Sequence, residues 1–444
     1  MQFETDYALE DYILNTTWED LPAQVQTRAR GCALDLLGAL ILGNQGKQFQ
    51  AGVRLAQSYI AGGDVPIVGS ADTFSLLGGA IALGHAANSF DIDDGHNMIK
   101  GHPGASFVAG LLSAAAEKDC TLQEYLTTLV IGYDVAVRAG LAIQSDYDFL
   151  HSTGTYGAVA TAAVMGRLLG LDRVQLNNAI AAADYHAPLT PVMRAVEYPS
   201  MSKDGVPFGA LTGAMAVLET LCGTTAKTYT LEEASQRHLL DDLGSNFEIM
   251  NLYFKPYTCC RWAHQPIRAL INMMAQEGIK ADEVAHVTVH TFDSAARLSK
   301  RVPADTDEAQ YNIAWPVASA IVFGEVGYLQ VYDGAMGNPA VIDMMGKLSF
   351  EVDPALDAQF PQKRLAWVEL ETTDGRVFNS PVYAAEGEAS DGITNEWLEK
   401  KFLRVTAPII DAEHAQELAD ALLRGPLSQS MRSLVLKANK SLMK

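Results

Sequence analysis

From Asp20 to His264 the chain repeats one texture, and that texture leaves little choice of fold: apolar residues recur every three or four positions, broken by Gly, Asp or Pro. In "DLPAQVQTRARGCALDLLGALILGN", Val25, Ala29, Cys32 and Leu36 share one helical face behind Asp20 and Pro22, both suited to a helix start. The same spacing returns in "FQAGVRLAQSYIAGG", "GASFVAGLLSAAAEKD", "TLQEYLTTLVIGYDVAVRAG", "GAVATAAVMGRLLG" and "FGALTGAMAVLETL". Thr121 and Glu124 supply a capping box to one of these segments. Strand-like alternation is confined to the short "VPIVG", so this stretch predicts a helical domain whose many Ala and Gly residues let helices approach closely.

After "FKPYTCCRWAH" the texture changes. "VAHVTVHTF" alternates with period two, "KLSFEVD" resembles a strand, and "LAWVELETTDGRVFNS" reads as a hairpin turning at Asp374 and Gly375. Helices at "QPIRALINMMAQ", "DEAQYNIAWPVASAIVFG" and "PAVIDMMGKL" alternate with these strands, and from Thr394 the helical pattern returns. The predicted architecture is mainly α with an α+β second domain. A large all-helical domain takes residues 1–264 and 394–444, an α+β lid takes 265–393, and the cleft between them suits a small-molecule site.

With 444 residues, 48% of them hydrophobic, the chain can bury a large core. Its formal charge of -21, with no Lys/Arg-rich block, argues against nucleic acid or an anionic membrane as partner. It also makes cations inside apolar segments informative, because they must gather locally to hold an anion against that field. No uninterrupted apolar run approaches the ~18 residues of a membrane span. The start "MQFETDYALEDYILNTTWED" lacks a targeting pattern, so the expected location is the cytoplasm. Five cysteines in no zinc-like spacing are expected to be reduced thiols.

The one dense polar interruption is "NSFDIDDGHNMIKGHPGAS", Asn88 to Ser106, between two apolar helical segments, where Pro103 can open the second helix. Asp91, Asp93, Asp94, His96 and His102 are suited to three uses. They could cap helices and satisfy loop backbone, bind a metal ion although the spacing matches no closed zinc motif, or perform acid/base catalysis with a carboxylate setting the histidine's pKa. The last use needs a cationic wall, for which His151 in "FLHSTGTYG", Lys203 in "PSMSKDGVPFG", and Lys255, Arg261 and His264 in "FKPYTCCRWAH" are candidates. Taken singly, each also reads as a solvated lysine or a satisfied core histidine. Cys259 and Cys260 lack an orienting third residue and read as buried thiols rather than nucleophiles. Neither a dinucleotide fingerprint, a P-loop nor a nucleophile elbow is present.

Together, "DIDDGH…GHPGAS", "GYDVAVRAG", "HSTGTYGAVATAAVMGRLLGLD", "SMSK" and "FKPYTCCRWAH" resemble the MmgE/PrpD family, which includes 2-methylcitrate dehydratase, cis-aconitate decarboxylase and iminodisuccinate epimerase. The resemblance spans almost the whole chain. It implies a helical domain with a smaller α+β lid, a homodimer, and a cofactor-free, metal-free site for a small polycarboxylate. Carried over residue by residue, it implies Asp91, His102, His151, Lys203 and His264 as catalytic positions, with Lys255 in the matched approach to His264; Lys255, Arg261 and His96 are the expected substrate contacts.

The expected division of labour has Asp91 orienting His102, Lys203 or His151 serving as the second acid/base group, and His264 binding carboxylates. Gly95 stands where the dehydratase and decarboxylase patterns carry a hydroxyl, and Trp315 where a decarboxylase-like tyrosine is expected. The wording of "HSTGT" and "GHPGA" is more similar to the epimerase-like branch. The expected activity is therefore epimerisation of the iminodisuccinate type, with dehydratase or decarboxylase lyase chemistry as the alternative. A noncatalytic metabolite-binding homologue and a metallohydrolase are the further rivals.

Overall fold

A computed structural model describes residues 6–60 and 62–442; the outermost residues of the expected helical segments, 1–5 and 443–444, lie outside the described residues. The helical part is built from long helices, among them Ala23–Gly43, Leu76–Ala87, Pro103–Lys118, Leu122–Asp146, Thr153–Leu169 and Val206–Leu221. Small residues set their spacing. A Cβ on Gly213 would lie 2.4 Å from the Ala158 carbonyl, and one on Gly154 would lie 2.2 Å from that of Gly205, so any larger residue would force the helices apart. The capping box forms as the sequence predicts: the Thr121 hydroxyl accepts from the Glu124 amide, and Glu124 Oε2 accepts from the Thr121 amide at 2.8 Å.

By length and composition the helix Leu122–Asp146 could cross a membrane, yet 94% of its most apolar window is buried inside the protein. Its buried charged residues Asp134 and Arg138 have partners there. Asp134 accepts from the Tyr12 hydroxyl and from the Glu248 amide, and Arg138 pairs with Asp242. It is a core helix interrupted by partnered charges.

The smaller α+β domain centres on the strand Val284–Thr291, which pairs parallel with Leu348–Val352 and antiparallel with Leu365–Thr372. Leu365–Thr372 pairs in turn with Val377–Asn379 and Tyr383–Ala384. Val287, Val289, Val368 and Leu370 point into a core shared with the helices His264–Glu277 and Ala314–Phe323. The hairpin turns where the sequence predicts, with Gly375 at φ 85° and the Thr372 amide donating to Arg376 O.

Three helices, Asn395–Thr406, Ala412–Leu423 and Met431–Leu442, pack back on the helical domain. Phe402 fills the space beside Gly38, and Leu398 the space beside Gly31. Lys401 pairs with Asp35 at 2.7 Å and donates to Ile92 O at 2.7 Å. The last part of the chain thereby pins the loop that carries the aspartates.

Candidate active site

Asp91, Ile92 and Asp93 are all buried, and Asp91 takes a left-handed backbone at φ 52°. The two aspartates bracket His102, which is the residue just before the helix opened by Pro103. His102 Nδ1 lies 2.8 Å from Asp93 Oδ2, and its Nε2 lies 3.5 Å from Asp91 Oδ1. Asn88 donates to the other oxygen of Asp93 at 2.8 Å. The orienting carboxylate is therefore Asp93, not Asp91 as expected from the sequence. Asp91 instead meets the working face of the ring and pairs with Lys255 Nζ at 2.7 Å.

The electrostatics follow this geometry. Burial disfavours the charged imidazolium, but the charge and hydrogen bond of Asp93 outweigh it and raise the pKa of His102. Burial likewise opposes ionisation of Asp93, and the charge of His102 overcomes it to hold Asp93 below the usual carboxylate range. Lys255 is desolvated too, yet the charge of Asp91 raises its pKa above the usual lysine value. The other polar residues of the cluster are structural. Asp94 accepts from the Tyr133 hydroxyl and from the Gly104 amide at the helix start, and burial pushes it up to about 7.

Asp91, His102, Lys255 and Arg261 line one cavity, closed on the second-domain side by Tyr311 and Arg364. Arg261 is fixed by Glu386 O and Glu388 Oε1, each at 2.7 Å, and lies over the Tyr253 ring at 4.4 Å. Arg364 covers the same ring at 5.4 Å and donates to Asn97 Oδ1. Lys100 also lines the cavity, and burial beside Arg364 lowers it to about 8. Four cations around one small cavity suit a ligand with several carboxylates.

Of the residues expected at the site, His96, His151, Lys203 and His264 do not line this cavity. His96 pairs with Glu248 at 3.4 Å, behind a two-strand contact with Leu252 and Tyr253. His264 is fully buried and its pKa is driven far down by burial and by the charge of Arg261. Its Nε2–H donates to Cys259 O at 3.0 Å, leaving Nδ1 toward Arg261 at 3.5 Å, so it backs the arginine rather than meeting a ligand. His151 packs edge-on against Tyr156, and burial lowers its pKa. Lys203 Nζ is committed to Gln310 Oε1 at 2.5 Å and to Asp307 at 3.5 Å, behind the Tyr311 ring.

Sequence reasoning missed Asp93 as the histidine's partner, and also Lys100, Asp204, Tyr253, Tyr311 and Arg364. The alternation of Asp91 and Asp93 was a usable signal, and Lys100 sits inside the polar interruption. Arg364 flanks a strand like any solvated arginine and gave none. The two departures from the family pattern also resolve. Trp315 is buried in the second-domain core with its indole N–H on Gln330 O at 2.8 Å, while Tyr311, four residues earlier, is the tyrosine at the cavity. A Cβ on Gly95 would lie 2.2 Å from Tyr253 Cζ, so the space at that glycine belongs to the ring under the two arginines.

Asp91, Asp93 and His102 offer three ligand atoms within 4.8 Å of one another. A cation there would have to displace Lys255 from Asp91 and break the bond between His102 and Asp93, so the donor set suits proton transfer better than metal binding. Cys259 and Cys260 are held as thiols, their pKa values raised by burial.

A helical domain and an α+β domain enclose a histidine–aspartate pair among cations, and the class of such a chain is shown by sequence comparison. Residues 7–239 match the MmgE/PrpD N-terminal domain and residues 257–424 the MmgE/PrpD C-terminal domain. The chain belongs to the MmgE/PrpD family. It is 20% identical to cis-aconitate decarboxylase of Aspergillus terreus over 92% of this chain and 90% of that one. It is 23% identical to 2-methylcitrate dehydratase of Cupriavidus necator over 83% and 82%, and 22% identical to 2-methylcitrate dehydratase of Escherichia coli K12 over 84% and 83%.

Proposed function

We propose that this protein is a cofactor-independent enzyme that moves a proton at a carbon next to a carboxylate of a small di- or tricarboxylate. The observation that carries the reading is the dyad of His102 and Asp93 inside a cavity walled by Lys100, Lys255, Arg261 and Arg364. Neutral His102 takes the proton at Nε2, the position facing Asp91, while Asp93 holds the ring and stabilises the imidazolium that forms. Lys255 and Arg261 stabilise the enolate-like charge that develops on the substrate carboxylate.

Epimerisation of an iminodisuccinate-type substrate is the first reading. It is supported by Gly95, whose side-chain space Tyr253 occupies, so the hydroxyl of the dehydratase and decarboxylase patterns is missing. Loss of water or CO₂ is the second reading, supported by the activities for which the relatives are named. In D₂O with imino-dicarboxylates, methylcitrate and cis-aconitate as a panel, epimerisation gives deuterium at the α-carbon with no loss of mass, whereas the lyase reactions lose water or CO₂. Turnover of none of these, or retained turnover in folded His102→Ala, would overturn the proposal.

The proposed working form is a cytoplasmic homodimer. The helix Val206–Leu221 supports the dimer by exposing Phe208 and Met215 two turns apart on one face, and five unpaired cysteines suit a reducing compartment. A monomer by sedimentation velocity would remove the dimer.

A further inference from the structure

A proton removed at one group of this site must be matched by one delivered from another. Lys203, one of the two residues expected to deliver it, is engaged elsewhere, and His151 does not line the cavity, but Asp204, the next residue after Lys203, lines it together with His102. It is 3% exposed, and its hydrogen bonds are all on one side. Asp204 Oδ2 accepts from the Thr153 hydroxyl and faces the Thr153 amide at 3.4 Å, whereas buried Oδ1 has no hydrogen-bond partner among the described residues.

The direction of the Thr153 hydroxyl follows from counting donors. Thr153 Oγ1 already accepts from the His102 amide and from the Tyr156 hydroxyl, each at 3.2 Å, which uses both of its lone pairs. In that arrangement its own hydrogen points to Asp204 Oδ2. That leaves Oδ1, which has no partner among the described residues, as the oxygen free to carry a proton.

We propose that Asp204 is the second proton-exchanging group of this site, holding its proton on Oδ1 and delivering it to the substrate. The proposal rests on the acid/base reading above. In epimerisation, His102 Nε2 takes the proton from the carbon next to the carboxylate, and the C–H electron pair enters the enolate. The Oδ1–H bond of Asp204 then breaks as a new C–H bond forms on the other face of that carbon. This leaves imidazolium and carboxylate, which return to their starting states by exchanging protons with water. Burial raises the pKa of Asp204, favouring the protonated form, with the charge of His102 opposing and that of Asp91 assisting. Tyr156 and Tyr311 are the other titratable groups that sense it, and burial keeps both as neutral phenols.

Asp204→Asn keeps an acceptor for Thr153 and removes the acid. It is expected to lower epimer formation by ~10²–10⁴-fold. His102 should still exchange the substrate α-hydrogen with D₂O, and tricarballylate affinity and Tm should stay at their wild-type values. Exchange without inversion is a signature that a merely structural role would not give. Epimer formation within about threefold of wild type, or equal loss of exchange and inversion, would overturn the assignment.

A second measurement does not depend on turnover. Infrared difference spectra of wild type against Asp204→Asn at neutral pH should show one protonated carboxyl band lost, and its absence would also overturn the proposal. Wild type inactive on the whole panel, with that band present, would sink the functional reading and leave the protonated Asp204.

Discussion

Asp93 tests the site at the scale of a single atom, because Asp93→Asn replaces the acceptor on His102 Nδ1 while keeping the shape. The ring then loses its fixed tautomer, and kcat should fall by ~10²–10⁴-fold with little change in Tm, read by steady-state kinetics and thermal melting. The pH profile carries a sign. His102 acts as a base only when neutral, and the charge of Asp93 holds its pKa above the usual histidine value, so kcat/KM falls as pH drops through that raised value. Removing the charge of Asp93 moves this acid limb to lower pH. Lys100 gives the opposite limb. Charged below about 8 and neutral above it, it should make KM for a polycarboxylate rise as pH increases through that value, and Lys100→Met should abolish this limb. Strain gathers in this region: among the described residues, five non-glycine residues have positive φ, and Asp91, Lys100 and Lys203 are three of them.

Among the elements, the two-strand contact of Gly95–His96 with Leu252–Tyr253 does most to shape the cavity, because it sets the ring on which Arg261 and Arg364 rest. Gly95→Thr should push Tyr253 aside, cost ~1–3 kcal/mol as an overpacked contact, and raise KM by about tenfold or more, roughly 1.4 kcal/mol of binding. An unchanged KM would show that the two arginines do not depend on that ring. The helices were legible from their 3.6-residue period and the hairpin from its Asp-Gly turn. This contact was not, since a two-residue strand carries no period and its partner lies far along the chain.

For the molecule as a whole, Asn395–Thr406, the first of the three returning helices, joins the fold to the site through Lys401. Lys401→Met would leave Asp35 buried without its cation and should cost ~3–5 kcal/mol in urea unfolding, whereas adding Asp35→Leu to it should recover much of that loss. The sequence by itself determined the helical body, the α+β region, the return of the last helices and the neighbourhood of the site, because periodicity and turn residues are local properties. It also brought Asp91, His102, Lys255 and Arg261 forward, though together with His96, His151, Lys203 and His264, which do not line the cavity. Only the tertiary structure decided that Asp93 holds the histidine, that His264 backs an arginine, that Tyr311 rather than Trp315 meets the cavity and that Asp204 faces it. Those choices depend on which atoms meet across elements far apart in the chain, and on the burial that sets their charge, and neither is written in local spacing.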